Sequence, residues 1–196
     1  MSFVHSLNIR SILGLSLFIT FASFFLWPAT SMENLGHKSN PIDRLRVAIK
    51  QTKISPPTIT STVFNDNPYP VTILVYNSPL DTAAPTIGLL TITPDGSAQP
   101  LELPRIQLRR EWPPKTESLV QIGPGESQSA EIVLKEFITS QLEKKASVVL
   151  KGNWHMVWNK QKDEITVEML EQAQQQPNPD MFTGAFSTES LEITVA

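Results

Sequence analysis

The chain has 196 residues and a net charge of −3 at pH 7, with 16 Lys and Arg against 19 Asp and Glu. It contains no cysteine, which excludes disulfides, thiol nucleophiles and thiolate metal sites. The weak and dispersed acidic charge argues against nucleic acid or anionic lipid as a partner.

The first 31 residues have the pattern of a secretory signal peptide. Arg10 precedes an apolar run over residues 11–27, and Pro28 is followed by small residues that end at Ser31. We predict cleavage after Ser31. The alternative is an uncleaved membrane anchor, because the run is only just long enough to cross a hydrocarbon core of about 30 Å. In both cases the rest of the chain is expected on the lumenal or outer side, and cleavage predicts a secreted protein.

Cleavage leaves about 165 residues, enough for one domain with a sizeable core. It removes Arg10 and no acidic residue, so the mature net charge is −4. No Asn-x-Ser/Thr acceptor is present, so no N-linked glycan is expected.

Residues 32–57 are predicted to be a lead-in to the main domain. The stretch up to residue 40 is polar, and residues 41–51 half fit a helical apolar stripe, which indicates a short helix. Pro56 and Pro57 end this region, and the main domain is predicted to span residues 58–196.

From residue 58 onward, short runs rich in β-branched or alternating apolar residues are separated by turn signals. The predicted strands are residues 58–64, 71–76, 88–93, 118–122, 127–134, 146–158 and 190–195. Residues 101–108 also alternate, with Pro104 marking an edge or a bend.

The strand over residues 146–158 has the clearest period of two. Its even positions include Trp154 and Trp158 and are predicted to face the core, while the opposite face carries His155. Two tryptophans in a β-sandwich also suggest a platform for sugar rings, but their apolar neighbours favour the core.

One helix is predicted near residues 166–174, with Thr166 as its N-cap and Ile165 and Leu170 as a hydrophobic staple. The fold class is therefore all-β: an immunoglobulin-like antiparallel β-sandwich of about seven to nine strands with one short helix.

The loop over residues 109–115 offers the candidate binding residues Arg109, Arg110, Trp112 and Lys115. Prolines stiffen this loop, and arginine beside tryptophan is a composition typical of binding hot spots. The alternative is a structural crossover in which Trp112 closes the end of the sandwich.

No constellation in the sequence identifies an enzyme. Zinc-protease, nucleophile-elbow and phosphate-loop motifs are absent, and the mature chain outside the lead-in retains His155 alone for acid–base work. His155 is interpreted as a solvated strand residue, with a catalytic base or a ligand as the alternative. No catalytic residue, metal ligand or cofactor is predicted.

The segment over residues 64–81 resembles the opening of a group of uncharacterised fungal secreted proteins. Asn65, residues 70–74 and residues 78–81 carry the likeness, and residues 106–114, 118–120 and 123–126 continue it. The chain is also distantly similar to the non-catalytic N-terminal region of deuterolysin-type metalloproteases, whose zinc motif has no counterpart here. That resemblance implies a module associated with folding or inhibition of a protease.

Three functions follow from these patterns. The first is a secreted non-enzymatic interaction module, in one version protease-inhibitory or chaperone-like, with a protein partner. The second is a glycan-binding domain of the cell wall. The third is an unrecognised hydrolase that uses His155 with a carboxylate. A membrane is a partner only if the leader remains uncleaved.

Overall fold

The computed structural model describes residues 40–175 and 179–196. The predicted signal peptide or anchor, residues 1–31, and the start of the lead-in lie outside the described residues. Within those two ranges, no helix combines the length and the apolar character that crossing a membrane requires.

The described residues form nine strands in two antiparallel sheets, which confirms the predicted fold class. The strands are β1 Leu45–Ile54, β2 Pro57–Asn65, β3 Val71–Leu74, β4 Leu90–Pro94, β5 Leu119–Ile122, β6 Ser127–Val133, β7 Lys145–Trp158, β8 Met181–Ser187 and β9 Leu191–Thr194. Three short α-helices connect them in these ranges: α1 Ala84–Ile87, α2 Glu136–Thr139 and α3 Val167–Gln175.

Strand β7 organises the larger sheet because it is long enough to pair with four other strands. Its first half pairs with β4 on one side and β9 on the other. Its second half pairs with β8 and, through its last two residues, with β3, which in turn pairs with β5. The smaller sheet has the order β1-β2-β6, so β6 forms one of its edges.

The core lies between the sheets and contains the inward residues of both. Ile59 and Ile132 contribute from the smaller sheet, and Ile73 and Val148 from the larger one. Trp154 and Trp158 are both buried, as predicted, but Trp154 belongs to this core and Trp158 to a second cluster. Burying such large apolar surfaces supplies most of the driving force for folding a domain without disulfides.

A register shift between Trp154 and Val157 changes which side chains of β7 face the main core: Val157 packs in that core, whereas Met156 and Trp158 do not. Trp158 therefore packs in a second, smaller cluster, which helix α3 covers. The predicted cap of this helix is confirmed, because Thr166 Oγ1 accepts a hydrogen bond from the Met169 amide at 3.3 Å. Ile165 and Leu170 are buried in the same cluster.

The helix predicted over residues 41–51 is wrong. Residues Pro41–Arg44 form a 3-10 turn, and β1 follows and pairs with β2 along its length. Leu45, Val47 and Ile49 alternate against the core at half burial, so a strand period was present but weak. Residues 41–54 of the predicted lead-in thus belong to this domain.

Further elements differ from the sequence prediction, among them helices α1 and α2, since only the helix near residues 166–174 was predicted. Residues 101–108 contain no strand, although their apolar residues alternate. Pro100 and Pro104 remove backbone donors, and the backbone of this segment is held by bonds from the Leu101 amide to Ile92 and from the Ile106 amide to Thr86. Strand β8 was not predicted.

Candidate functional site

The loop over residues 109–115 is anchored by Arg110. Its Nη2 atom donates to Asp81 Oδ2 at 2.6 Å, and its guanidinium carbon lies 4.8 Å from the centre of the Tyr76 ring. The Asp81 side chain is only 3% exposed, whereas that of Arg110 is 30% exposed. Arg110 therefore connects the loop to a buried carboxylate.

Asp81 also organises the turn that leads into α1. Its Oδ2 accepts from the Asn77 amide at 2.9 Å, and its Oδ1 accepts from the Ala83 amide at 3.0 Å. Asn77 has a positive φ of 57°, which asparagine tolerates better than most residues. The carboxylate, the turn and Arg110 form one polar unit.

Trp112 is half-buried and packs against the smaller cluster around Trp158. Its indole Nε1 is buried and has no hydrogen-bond partner among the described residues. The indole ring is therefore partly covered by the domain.

Arg109 and Lys115 differ from the other two candidates because both are exposed. Lys115 forms an exposed ion pair with Glu111 at 3.2 Å. Arg109 has no such partner in the part of the chain that the structure describes. Of the four predicted binding residues, two anchor the loop and two face solvent.

The apolar surface next to this loop was not recognised from the sequence. Ile106, Leu108 and Val133 are 50%, 38% and 43% exposed, and they make up half of the exposed large hydrophobic side chains among the described residues. All three line one surface cavity of about 370 Å³, together with Pro85 and Lys135. We call this cavity the apolar depression.

Comparison with known proteins identifies the domain type. The family model of the immunoglobulin-like domain matches residues 44–195. The chain belongs to the immunoglobulin-like domain family. It is also 29% identical over 128 residues to a protein of Arthroderma benhamiae described as an uncharacterized secreted protein. The match covers 64% of this chain and 62% of that relative, so the chain spans less than two thirds of the relative's length.

The likeness to a secreted family is therefore confirmed, and the residues that carried it have structural roles in this immunoglobulin-like domain. Asn65 is fully buried, and its amide nitrogen donates to the carbonyl oxygens of Tyr69 and Ile122, each at 2.9 Å. Ser78 and Asp81 are buried in the turn described above. Buried polar groups need these partners, which fixes residue identity at such turns.

The other predicted positions offer little chemistry. His155 lies exposed on the outer face of β7. Trp154 and Trp158 lie in the core of the immunoglobulin-like domain, where they cannot stack on a sugar. No group of three or more His, Asp or Glu side chains with metal-binding spacing occurs among the described residues.

Proposed function

We propose that this immunoglobulin-like protein is a secreted, non-enzymatic interaction module that binds another extracellular protein. The observation that carries the proposal is the apolar depression. Three exposed apolar side chains line it: Ile106, Leu108 and Val133. Exposing them to water does not stabilise the domain, and clusters of exposed apolar side chains mark interaction sites.

Secretion rests on the leader pattern before residue 32 and on the description of the Arthroderma benhamiae relative. The protease-inhibitory or chaperone-like version rests on the likeness to the non-catalytic region of deuterolysin-type metalloproteases. A protein partner suits the depression better than a glycan does, because its large exposed side chains are aliphatic and sugar rings stack on aromatic ones.

The four loop candidates divide between support and contact in this proposal. Arg110 and Trp112 hold the loop in place, and Arg109 is exposed and directly follows Leu108, which lines the apolar depression. Lys115 lies farther along the loop and is paired with Glu111, so we assign it to the rim. Rim charges alter association rates more than affinity.

Recovery of partners from culture fluid tests the proposal. The purified protein serves as bait beside I106S/L108S and the control V167S, which changes an exposed valine on helix α3. We expect the wild type and V167S to recover the same proteins and I106S/L108S to lose them. Equal recovery by all three baits, with thermal unfolding unchanged, would contradict the proposal.

A further inference from the structure

The smaller sheet has an open edge at β6. This sheet has the order β1-β2-β6, and residues 101–108 form no strand in the described structure. The position beside β6 is therefore free among the described residues.

The register shows which backbone groups face this edge. The Leu134 amide donates to the Pro57 carbonyl at 2.9 Å, and Ile132 pairs with Ile59. Because antiparallel neighbours alternate, the backbone groups of Ile132 and Leu134 point toward β2. Those of Glu131 and Val133 point outward and have no backbone partner within the described ranges.

The apolar depression lies at the end of this open edge. Val133 and Lys135 line one side of it, and Ile106 and Leu108, from the segment that forms no strand, line the other. A strand that enters beside Val133 would satisfy the free backbone groups. It would also bury its own apolar side chains in about 370 Å³ of space.

The charge around the depression selects the partner. Arg109 and Lys135 are exposed and have no carboxylate partner among the described residues. Glu131 on the edge strand already pairs with Lys53 at 3.1 Å, which leaves Glu136 as the nearest unpaired acid along the chain. Lys135 is the one charged side chain among the described residues that line the depression, so the lining carries a positive charge although the whole protein is acidic.

From these observations we infer that an extended, acidic segment of a partner protein adds a strand to β6 and places an apolar side chain in the depression. The inference rests on the proposed function and names the chemistry of the partner. A second copy of this chain is a poorer occupant, since the acid on its own β6 is Glu131, which Lys53 neutralises.

A displayed library of random peptides tests the inference without knowledge of the natural partner. We expect the wild-type protein to enrich peptides that combine Asp or Glu with Val, Ile or Leu and lack proline. I106S/L108S and K135E should weaken the binding of an enriched peptide by about tenfold or more, and V167S should leave it unchanged. Increasing salt should weaken it further.

Amide hydrogen exchange distinguishes strand addition from other binding modes. When an enriched peptide is present at about 100 times its Kd, exchange of the Glu131 and Val133 amides should slow by about a hundredfold. The amides of Ile132 and Leu134, which already face β2, should change much less.

Three results would overturn the inference: no enriched peptide, enriched basic peptides, or binding that leaves the Glu131 and Val133 amides unprotected. The same holds if β6 pairs with a second copy, which sedimentation would show as a dimer. If culture-fluid recovery still depends on Ile106 and Leu108 in such a case, the proposed function stands. If that dependence also fails, both proposals fall.

Discussion

The ion pair between Arg110 and Asp81 should hold the loop to the domain, and R110A tests this. The substitution removes a 2.6 Å charged hydrogen bond and the contact with the Tyr76 ring. It leaves a carboxylate that is 3% exposed with two amide donors, from Asn77 and Ala83.

The expected cost follows from burial. Removing one member of a fully buried ion pair costs about 3–5 kcal/mol. The Arg110 side chain is 30% exposed, and the remaining amides still stabilise the carboxylate of Asp81, so we expect R110A to lower the free energy of unfolding by about 2 kcal/mol. D81A also removes the acceptor of both amides and should cost about 3–4 kcal/mol.

A double-mutant cycle measures this interaction directly. Urea unfolding of R110A, D81A and the double variant, followed by tryptophan fluorescence, should give a coupling energy of at least about 1 kcal/mol. The matched control is K53A, which breaks the exposed ion pair between Lys53 and Glu131, whose charged atoms are 3.1 Å apart. It should lower the free energy of unfolding by less than about 1 kcal/mol. If R110A costs no more than K53A, the loop is not anchored as described.

Three other substitutions test the fold in the same unfolding assay. N65D replaces a buried side-chain amide that donates to two carbonyl oxygens with a carboxylate that cannot donate. It should therefore lower the free energy of unfolding by at least about 3 kcal/mol, and a decrease of less than about 1 kcal/mol would contradict the structural role of Asn65. Q51A removes the side-chain amide that makes two hydrogen bonds with the Thr194 backbone, at 2.7 and 2.8 Å. It should lower the free energy of unfolding by about 1 kcal/mol and speed hydrogen exchange of the Thr194 amide. Unchanged exchange would contradict this link between Gln51 and Thr194. T166A should cost about 1 kcal/mol as a lost helix cap. It should also raise the pKa of Glu168, which its own backbone amide and the Thr166 hydroxyl hold below the ordinary value; an NMR titration that shows no rise would contradict this.

The pH dependence of T166A follows from the sign of that shift. A carboxyl group whose pKa is lowered by folding adds stability above its unfolded pKa and loses it as the pH falls through the folded pKa. The part of that stability that depends on Thr166 should therefore be present at neutral pH and vanish in acid. The difference in free energy of unfolding between wild type and T166A should accordingly be smaller in acid than at neutral pH.

The sequence predicted those strands whose two faces differ strongly. In β7 the even positions are buried, apart from half-buried Gly152, and His155 is exposed, so the period of two is clear up to the register shift, beyond which Val157 is buried as well. Strand β1 was missed because its inner face is only half-buried, so Leu45, Val47 and Ile49 produce a weak contrast that also half fits a helix.

The opposite error arose at residues 101–108. Alternation of Leu101, Leu103, Ile106 and Leu108 is a strand pattern, but a strand also needs a partner edge, and Pro104 lacks a donor. A local sequence pattern does not show whether the edge of β6 is paired, because pairing depends on the tertiary fold. The apolar depression could therefore not be predicted from the sequence.

The candidate site was predicted only in part for a similar reason. The loop composition indicated contacts, yet the partner of Arg110 is Asp81, 29 positions earlier in the chain. A separation of that size is set by the tertiary fold. The buried turn residues Asn65 and Asp81 could be recognised by their likeness to a secreted family, although the pattern did not show that their roles are structural.

Site-specific photo-crosslinking tests the central claim most directly. A photoreactive amino acid replaces Ile106 at the apolar depression or, as the control, Val167 on helix α3, and both proteins are irradiated in native culture fluid. We predict a discrete crosslinked partner from position 106, through an acidic peptide of that partner, and none from position 167. Equal crosslinking from both positions, or none from position 106, would contradict the account.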